Sequence, residues 1–272
     1  MQQTRSTSAL IVAKAALFCL VFTVLFVLLS FFKSFVPGQW ERMAHGITGT
    51  MAALLTTFLF LKYDRRRFAD IGLSFEKTTF IRFLWGFATG IVIMGLLSLS
   101  VIYASGFRME TNANSSVLNF LMGALPLIPL AFMEEMAFRG YPLEVLKDKT
   151  GVRVSVLVTA VLFALYHIAN GWAVQNAFLG AGAWGLLYGA AAVYGRGIAL
   201  PTGMHFAANF TTAAFGTSTD SFHIWVLKQE NGLDLENYEA SQLATLIPQI
   251  SILVLGIVAM EWVARNTSEK NE

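Results

Sequence analysis

The sequence predicts an all-α fold: a polytopic membrane helix bundle of about eight transmembrane helices, with both termini cytoplasmic. Three observations carry this. Of 272 residues, 56% are hydrophobic and 13% charged, with a mean hydropathy of +0.59, a composition of membrane chains rather than soluble enzymes. Apolar runs close to the ~20 residues that a helix needs to cross a ~30 Å hydrocarbon layer recur along the chain. Lys and Arg concentrate in alternate connections between those runs, the asymmetry that sets membrane orientation.

The first run, Ala9–Phe32, follows Arg5. At about 24 apolar residues it exceeds a signal-peptide core, and no small-residue cleavage site follows, so it reads as an uncleaved signal anchor. Lys14 within it is expected to snorkel toward headgroups. Cys19, the only cysteine, reads as a small packing residue and has no partner for an internal disulfide. The second run, Met43–Leu61, ends on Lys62, Arg65, Arg66 and Arg67, which marks that connection as cytoplasmic. The third, Phe80–Ala104, carries Gly86 and Gly90 at the spacing that lets helices approach closely, with Arg82 placed to snorkel. The fourth, Val117–Phe138, leads to Lys147, Lys149 and Arg153, a second cytoplasmic connection.

The fifth run, Val154–Ile168, is short, so its outer end is expected in a protein-lined cavity. The sixth, Ala173–Tyr194, repeats the small-residue spacing at Gly185 and Gly189 and reaches Arg196. Ile198–Phe215 and Leu243–Val263 complete the set, and Arg265 with Lys270 marks the tail as cytoplasmic. The longest connection, Gly216 to Gln242, holds Asp220, Glu230, Asp234, Glu236 and Glu239 against Lys228 alone and belongs on the opposite side. The whole chain, 1–272, reads as a single integral membrane domain, a multi-pass protein of a plasma membrane. The formal net charge of +2 is too small, and its distribution too scattered, for a nucleic-acid partner.

Against this background, Glu134, Glu135 and Arg139 stand out within an otherwise lipid-like stretch. Ionisable groups at bilayer depth are costly unless paired or wetted, so they mark function. His167 lies on the fifth run, and His205 with Asn209 on the seventh. A rise of 1.5 Å per residue converts sequence distance into depth. Glu134, 13 residues before Lys147, lies about 20 Å from the cytoplasmic end, a figure shortened by kinks expected at Gly140 and Pro142. His167 lies about 21 Å beyond Arg153, and His205 and Asn209 about 12 and 18 Å beyond Gly197. Three runs therefore bring polar groups to similar depth.

Residues four apart share a helix face, which pairs Glu135 with Arg139, Phe163 with His167 and His205 with Asn209. Glu134 is rotated about 100° from Glu135, so the two carboxylates have different roles. Arg139 would keep Glu135 charged, leaving Glu134 in a drier setting suited to a general base. Among other polar residues, His45 and His223 are expected to be interfacial or solvated. Asn170, Gln175 and Asn176 are candidates to line a substrate entrance.

Glu134-Glu135-Met136-Ala137-Phe138-Arg139, then Phe163 to His167, then His205 to Asn209, in that order, resemble the three motifs of the CAAX-protease and bacteriocin-processing (CPBP, or Abi) family of intramembrane endopeptidases. Phe138-Arg139-Gly140 and the Gly-rich approach Gly185 to Pro201 fit as well. The resemblance covers roughly residues 117–215, the expected catalytic core. It implies hydrolysis of a peptide bond in a membrane-associated peptide or protein, lipidated or unmodified, in a bacterial cell membrane. Glu134 with His167 would activate water, His205 and Asn209 would donate to the oxyanion, and Glu135 with Arg139 would orient Glu134.

Other protease classes lack their signatures. No H-E-x-x-H and no G-x-G-D occur, and Tyr103-Ala104-Ser105-Gly106 lacks the first glycine of a rhomboid-like serine motif. No cofactor is required by the preferred reading. Zinc stays open as an alternative, because Glu134, His167 and His205 are ligands that it accepts with one position left for water. Two other classes stay open too: a proton-coupled transporter using the same cluster, for which no repeated halves are seen, and a non-catalytic immunity or scaffold protein.

Overall fold

The computed structural model describes residues 2–113, 115–217, 222–228 and 242–268. Asp220, Glu230, Asp234, Glu236, Glu239 and Lys270 lie outside the described residues, so the acidic connection is known from sequence alone. The chain folds as a polytopic helical bundle. Its elements are α1 (Gln2–Ser30), α2 (Gly38–Asp64), α3 (Thr79–Ser105), α4 (Val117–Ala124), α5 (Leu127–Glu135), α6 (Tyr141–Ala169), α7 (Val174–Asn176), α8 (Ala183–Gly195), α9 (Ala199–Ala214) and α10 (Gln242–Ser268). π-helical turns, Met136–Gly140 and Ala177–Gly182, join α5 to α6 and α7 to α8. Two short strands, β1 (Arg108–Thr111) and β2 (Trp225–Lys228), form an antiparallel ribbon.

Among the described residues, six helical stretches are long and apolar enough to cross a membrane. One of them, Val117–Ala169, spans 53 residues and doubles back. The reversal is at Gly151, whose φ of 79° lies in the left-handed region that side chains disfavour. Phe138 and Phe163, about equally far on either side of it, meet with ring centroids 5.1 Å apart. α9 has only 16 residues, about 24 Å of helix; the bundle rather than lipid must cover its ends.

Charged residues fasten the end of the bundle where the basic connections lie. Arg66 bonds Asp148 at 2.6 Å and Arg153 bonds Glu261 at 2.8 Å, joining α2 to α6 and α6 to α10. Lys14 pairs with Asp64, and Tyr141 donates to the same carboxylate at 2.6 Å. The expected snorkelling of Lys14 is thus replaced by an ion pair across α1 and α2, because Asp64 on the antiparallel neighbour ends at the same level. Arg82 likewise pairs with Glu76 at 3.2 Å. In the connection after α2, the backbone N–H and guanidinium of Arg67 both bond Asp70, which holds that carboxyl below the usual carboxylate range.

The closest helix contact is between α3 and α9, which run parallel. A Cβ at Gly86 would stand 2.0 Å from the Leu200 carbonyl oxygen, and one at Gly203 would stand 2.1 Å from that of Phe83. Gly90 faces Met204 and Ala207 in the same way. The small residues read from sequence as packing positions therefore bring two backbones together, with Gly203 supplying the reciprocal contact from α9. Gly203→Ala should destabilise the bundle by about 1–3 kcal/mol through overpacking, read as a lower melting temperature in detergent. Gly95→Ala, with open space around it, should melt with the wild type.

Candidate active site

Glu134 and Glu135 are the last two residues of α5, and the π-helical turn begins at Met136. A π turn widens the helix by one residue, a local irregularity common at functional sites. Gly140 leaves the helical region at ψ −111°, and Pro142, in the first turn of α6, has no N–H to lose there. The kink expected at these two positions is present. It leaves Glu135 and Arg139 enclosed by the bundle, at 0% and 1% exposure.

Glu135 lies at the centre of a chain of polar contacts across three helices. Its Oε1 accepts from Arg139 Nη1 at 3.4 Å and lies 2.8 Å from His205 Nδ1 on α9. A carboxylate only accepts, so Nδ1 carries the proton and donates. Arg139 Nη2 donates to the Gly185 carbonyl on α8 at 3.3 Å. Its guanidinium lies 4.3 Å from the centroid of the Phe163 ring and 5.4 Å from that of Tyr188, aromatic faces that attract a buried cation. Tyr188 stacks on the His205 ring, with centroids 4.8 Å apart and planes 16° from parallel. The imidazole is thus fixed by a hydrogen bond at one nitrogen and by a ring against its face.

Beside this chain is a cavity of about 500 Å³, and Glu134, His167, His205 and Asn209 all line it. His205 Nε2 lies 3.6 Å from Glu134 Oε2. His167 Nδ1 lies 2.9 Å from the Phe163 carbonyl oxygen, to which it can only donate. In the neutral ring, Nε2 is then the acceptor. Phe163 and Trp172 meet the His167 ring edge-on at 4.5 and 4.6 Å. The cavity therefore presents a carboxylate, an imidazole acceptor, a second imidazole backed by a carboxylate, and a carboxamide.

The three motifs, distant in sequence, meet here. Glu135 and Arg139 are paired, as their spacing predicted, and neither lines the cavity; Glu135 reaches His205 rather than Glu134. A bond between α5 and α9 leaves no trace in the spacing along either helix. Tyr188 and Gly185 were not singled out as site residues. A Cβ at Gly185 would come within 3.1 Å of Arg139 Nη2, so this glycine makes room for the guanidinium as well as for α6. Its sequence signals were the small-residue spacing and its place at the start of the Gly-rich approach to His205. His45, expected to be interfacial or solvated, is half-buried near the start of α2, with its ring 4.6 Å from that of Phe26 on α1. Asn170, Gln175 and Asn176 are exposed beside Trp172 and do not line the cavity. No group of three His, Cys, Asp or Glu side chains among the described residues is arranged to hold a metal ion.

Residues 115–211 match the family model described as type II CAAX prenyl endopeptidase Rce1-like. The match agrees with the resemblance carried by the three motifs and contains all six site residues; α1–α3 and α10 lie outside it. No curated protein matches the chain.

Arg139→Met should destabilise the protein by about 3–5 kcal/mol, because it leaves a buried carboxylate without its cation. The double variant Glu135→Gln/Arg139→Met should recover part of that loss, checked by thermal unfolding of both in the same detergent.

Proposed function

We propose that the chain is an intramembrane endopeptidase that hydrolyses a peptide bond with water activated by Glu134. The observation that carries this reading is the convergence of Glu134, His167, His205 and Asn209, from the three helices α5, α6 and α9, on one cavity within the stretch that matches a CAAX endopeptidase family. The Glu134 carboxylate would take a proton from a water that also hydrogen-bonds His167 Nε2, while the water oxygen attacks the scissile carbonyl carbon. His205, in its doubly protonated form, would donate Nε2–H to the oxyanion as Nδ1–H holds Glu135, and the Asn209 amide would be the second donor. Collapse of the tetrahedral intermediate breaks the C–N bond, and Glu134 returns its proton to the departing amine.

In this reading residues 1–272 form one integral membrane domain with its catalytic core at 117–215. Its setting is a bacterial cell membrane, and its substrate is a membrane-associated peptide or protein, prenylated or not. The mechanism calls on no metal. Glu135 occupies Nδ1 of His205 and the Phe163 carbonyl occupies Nδ1 of His167, which leaves the Nε2 atoms for the chemistry, whether hydrogen bonding or ligation; chelation separates the two. Activity should survive chelation; loss to a chelator and restoration by zinc would assign the site to a metal.

Glu134→Ala should lower the cleavage rate on the order of 10²- to 10⁴-fold. Asn209→Ala should lower it about 10²- to 10³-fold with expression unchanged. Both are read from new peptide termini in membrane fractions of cells expressing wild type or variant, and then with the purified protein. Wild-type turnover by Glu134→Ala would refute the mechanism.

A further inference from the structure

The cavity lining runs from the site toward one end of the bundle, and charge distinguishes the two ends. One end gathers the connection with Arg65, Arg66, Arg67 and Lys77, the reversal with Lys147, Lys149 and Arg153, and Arg196 between α8 and α9. The other end carries Lys33, Arg42, Arg108 and Lys228. Cationic connections of short length stay on the cytoplasmic side, which places the first end there.

The lining residues nearest the membrane surface are Arg42, in the first turns of α2, Trp172, just after α6, and Thr212, in the last turn of α9. All three belong to the end away from the basic connections. His167 is two residues from the same end of α6. Toward the basic end the site is backed by packed side chains: Met136, Ala137, Phe138, Arg139 and Tyr141 are at most 1% exposed. A second cavity, of about 480 Å³, does lie at the basic end, lined by Leu54, Phe75, Phe80 and Phe83. None of the four site residues lines it, and Met136, Phe132 and Thr202 form its inner wall.

We propose that substrate enters the site from the extracytoplasmic face. Its class is then a polypeptide delivered to that face, an exported peptide or the outward segment of a membrane-anchored chain, and not a cytosolic C-terminus. This rests on the endopeptidase reading for the word substrate, but the direction of access does not.

The test uses the full chain with Cys19→Ala and one added cysteine: Thr212→Cys in the cavity lining, Gln175→Cys on exposed α7 at the same end of the bundle, or Lys77→Cys in a basic connection. Sealed right-side-out vesicles are treated with a charged, membrane-impermeant methanethiosulfonate. Thr212→Cys and Gln175→Cys should react in intact vesicles, whereas Lys77→Cys should react only after permeabilisation, and inverted vesicles should exchange the two patterns. Reaction of Thr212→Cys only in inverted vesicles would overturn the proposal. So would protection from both faces while Gln175→Cys reacts from outside, because the cavity would then be closed to that water. Catalysis enters none of these readings. A protein that labels as expected yet never cleaves in the proteomic comparison would keep outward access and lose the protease function.

Discussion

The arrangement of the site depends on one buried chain of contacts, Arg139 to Glu135 to His205. It links the end of α5 to α9, and through the Gly185 carbonyl it reaches α8. As a source of stability it is poor: the Arg139–Glu135 contact is long at 3.4 Å, and Glu135 Oε2 and Arg139 Nε find no hydrogen-bond partner among the described residues. Buried pairs of this kind roughly break even against well-packed apolar residues. What the chain supplies is position. Glu135 selects the proton on His205 Nδ1, and Tyr188 against the ring face limits rotation, so Nε2 is held 3.6 Å from Glu134.

Backbone irregularities and small residues let that chain form. The π turn directly after Glu135 and the break at Gly140 leave Arg139 facing inward under Phe163. Gly185 leaves the space that the guanidinium fills. On the other side, Gly86 and Gly90 of α3 let α9 settle against it at backbone contact, and Gly203 answers from α9. A helix of 16 residues bearing an imidazole and a carboxamide is an unfavourable lone occupant of lipid; held along α3 and capped by Glu135, it becomes a wall of the cavity.

Much of this was legible in the sequence, for identifiable reasons. Helices in a bilayer need long apolar runs, so the segments announced themselves, and a constant rise per residue converted the positions of Glu134, His167, His205 and Asn209 into a common depth. The four-residue spacings correctly paired Glu135 with Arg139. What escaped was whatever depends on a neighbour from elsewhere in the chain. The Glu135–His205 bond spans 70 positions, the Tyr188 stack involves a residue that looks like any interfacial tyrosine, and Lys14 finds Asp64 only once α1 and α2 lie antiparallel. The π turn was invisible because its residues, Met136 to Gly140, also suit an ordinary helix.

The reversal at Gly151 also bears on how the protein is made. The two arms of Val117–Ala169 are joined by a single non-helical residue, too short a link for them to leave the translocon as independent spans, so they partition into lipid as a hairpin. The guanidinium and carboxylate it carries are neighbours on the same arm and neutralise each other as soon as that arm is synthesised. The imidazole of α9 emerges later and docks onto a carboxylate already in place, which makes assembly of the candidate site a sequential event during biogenesis.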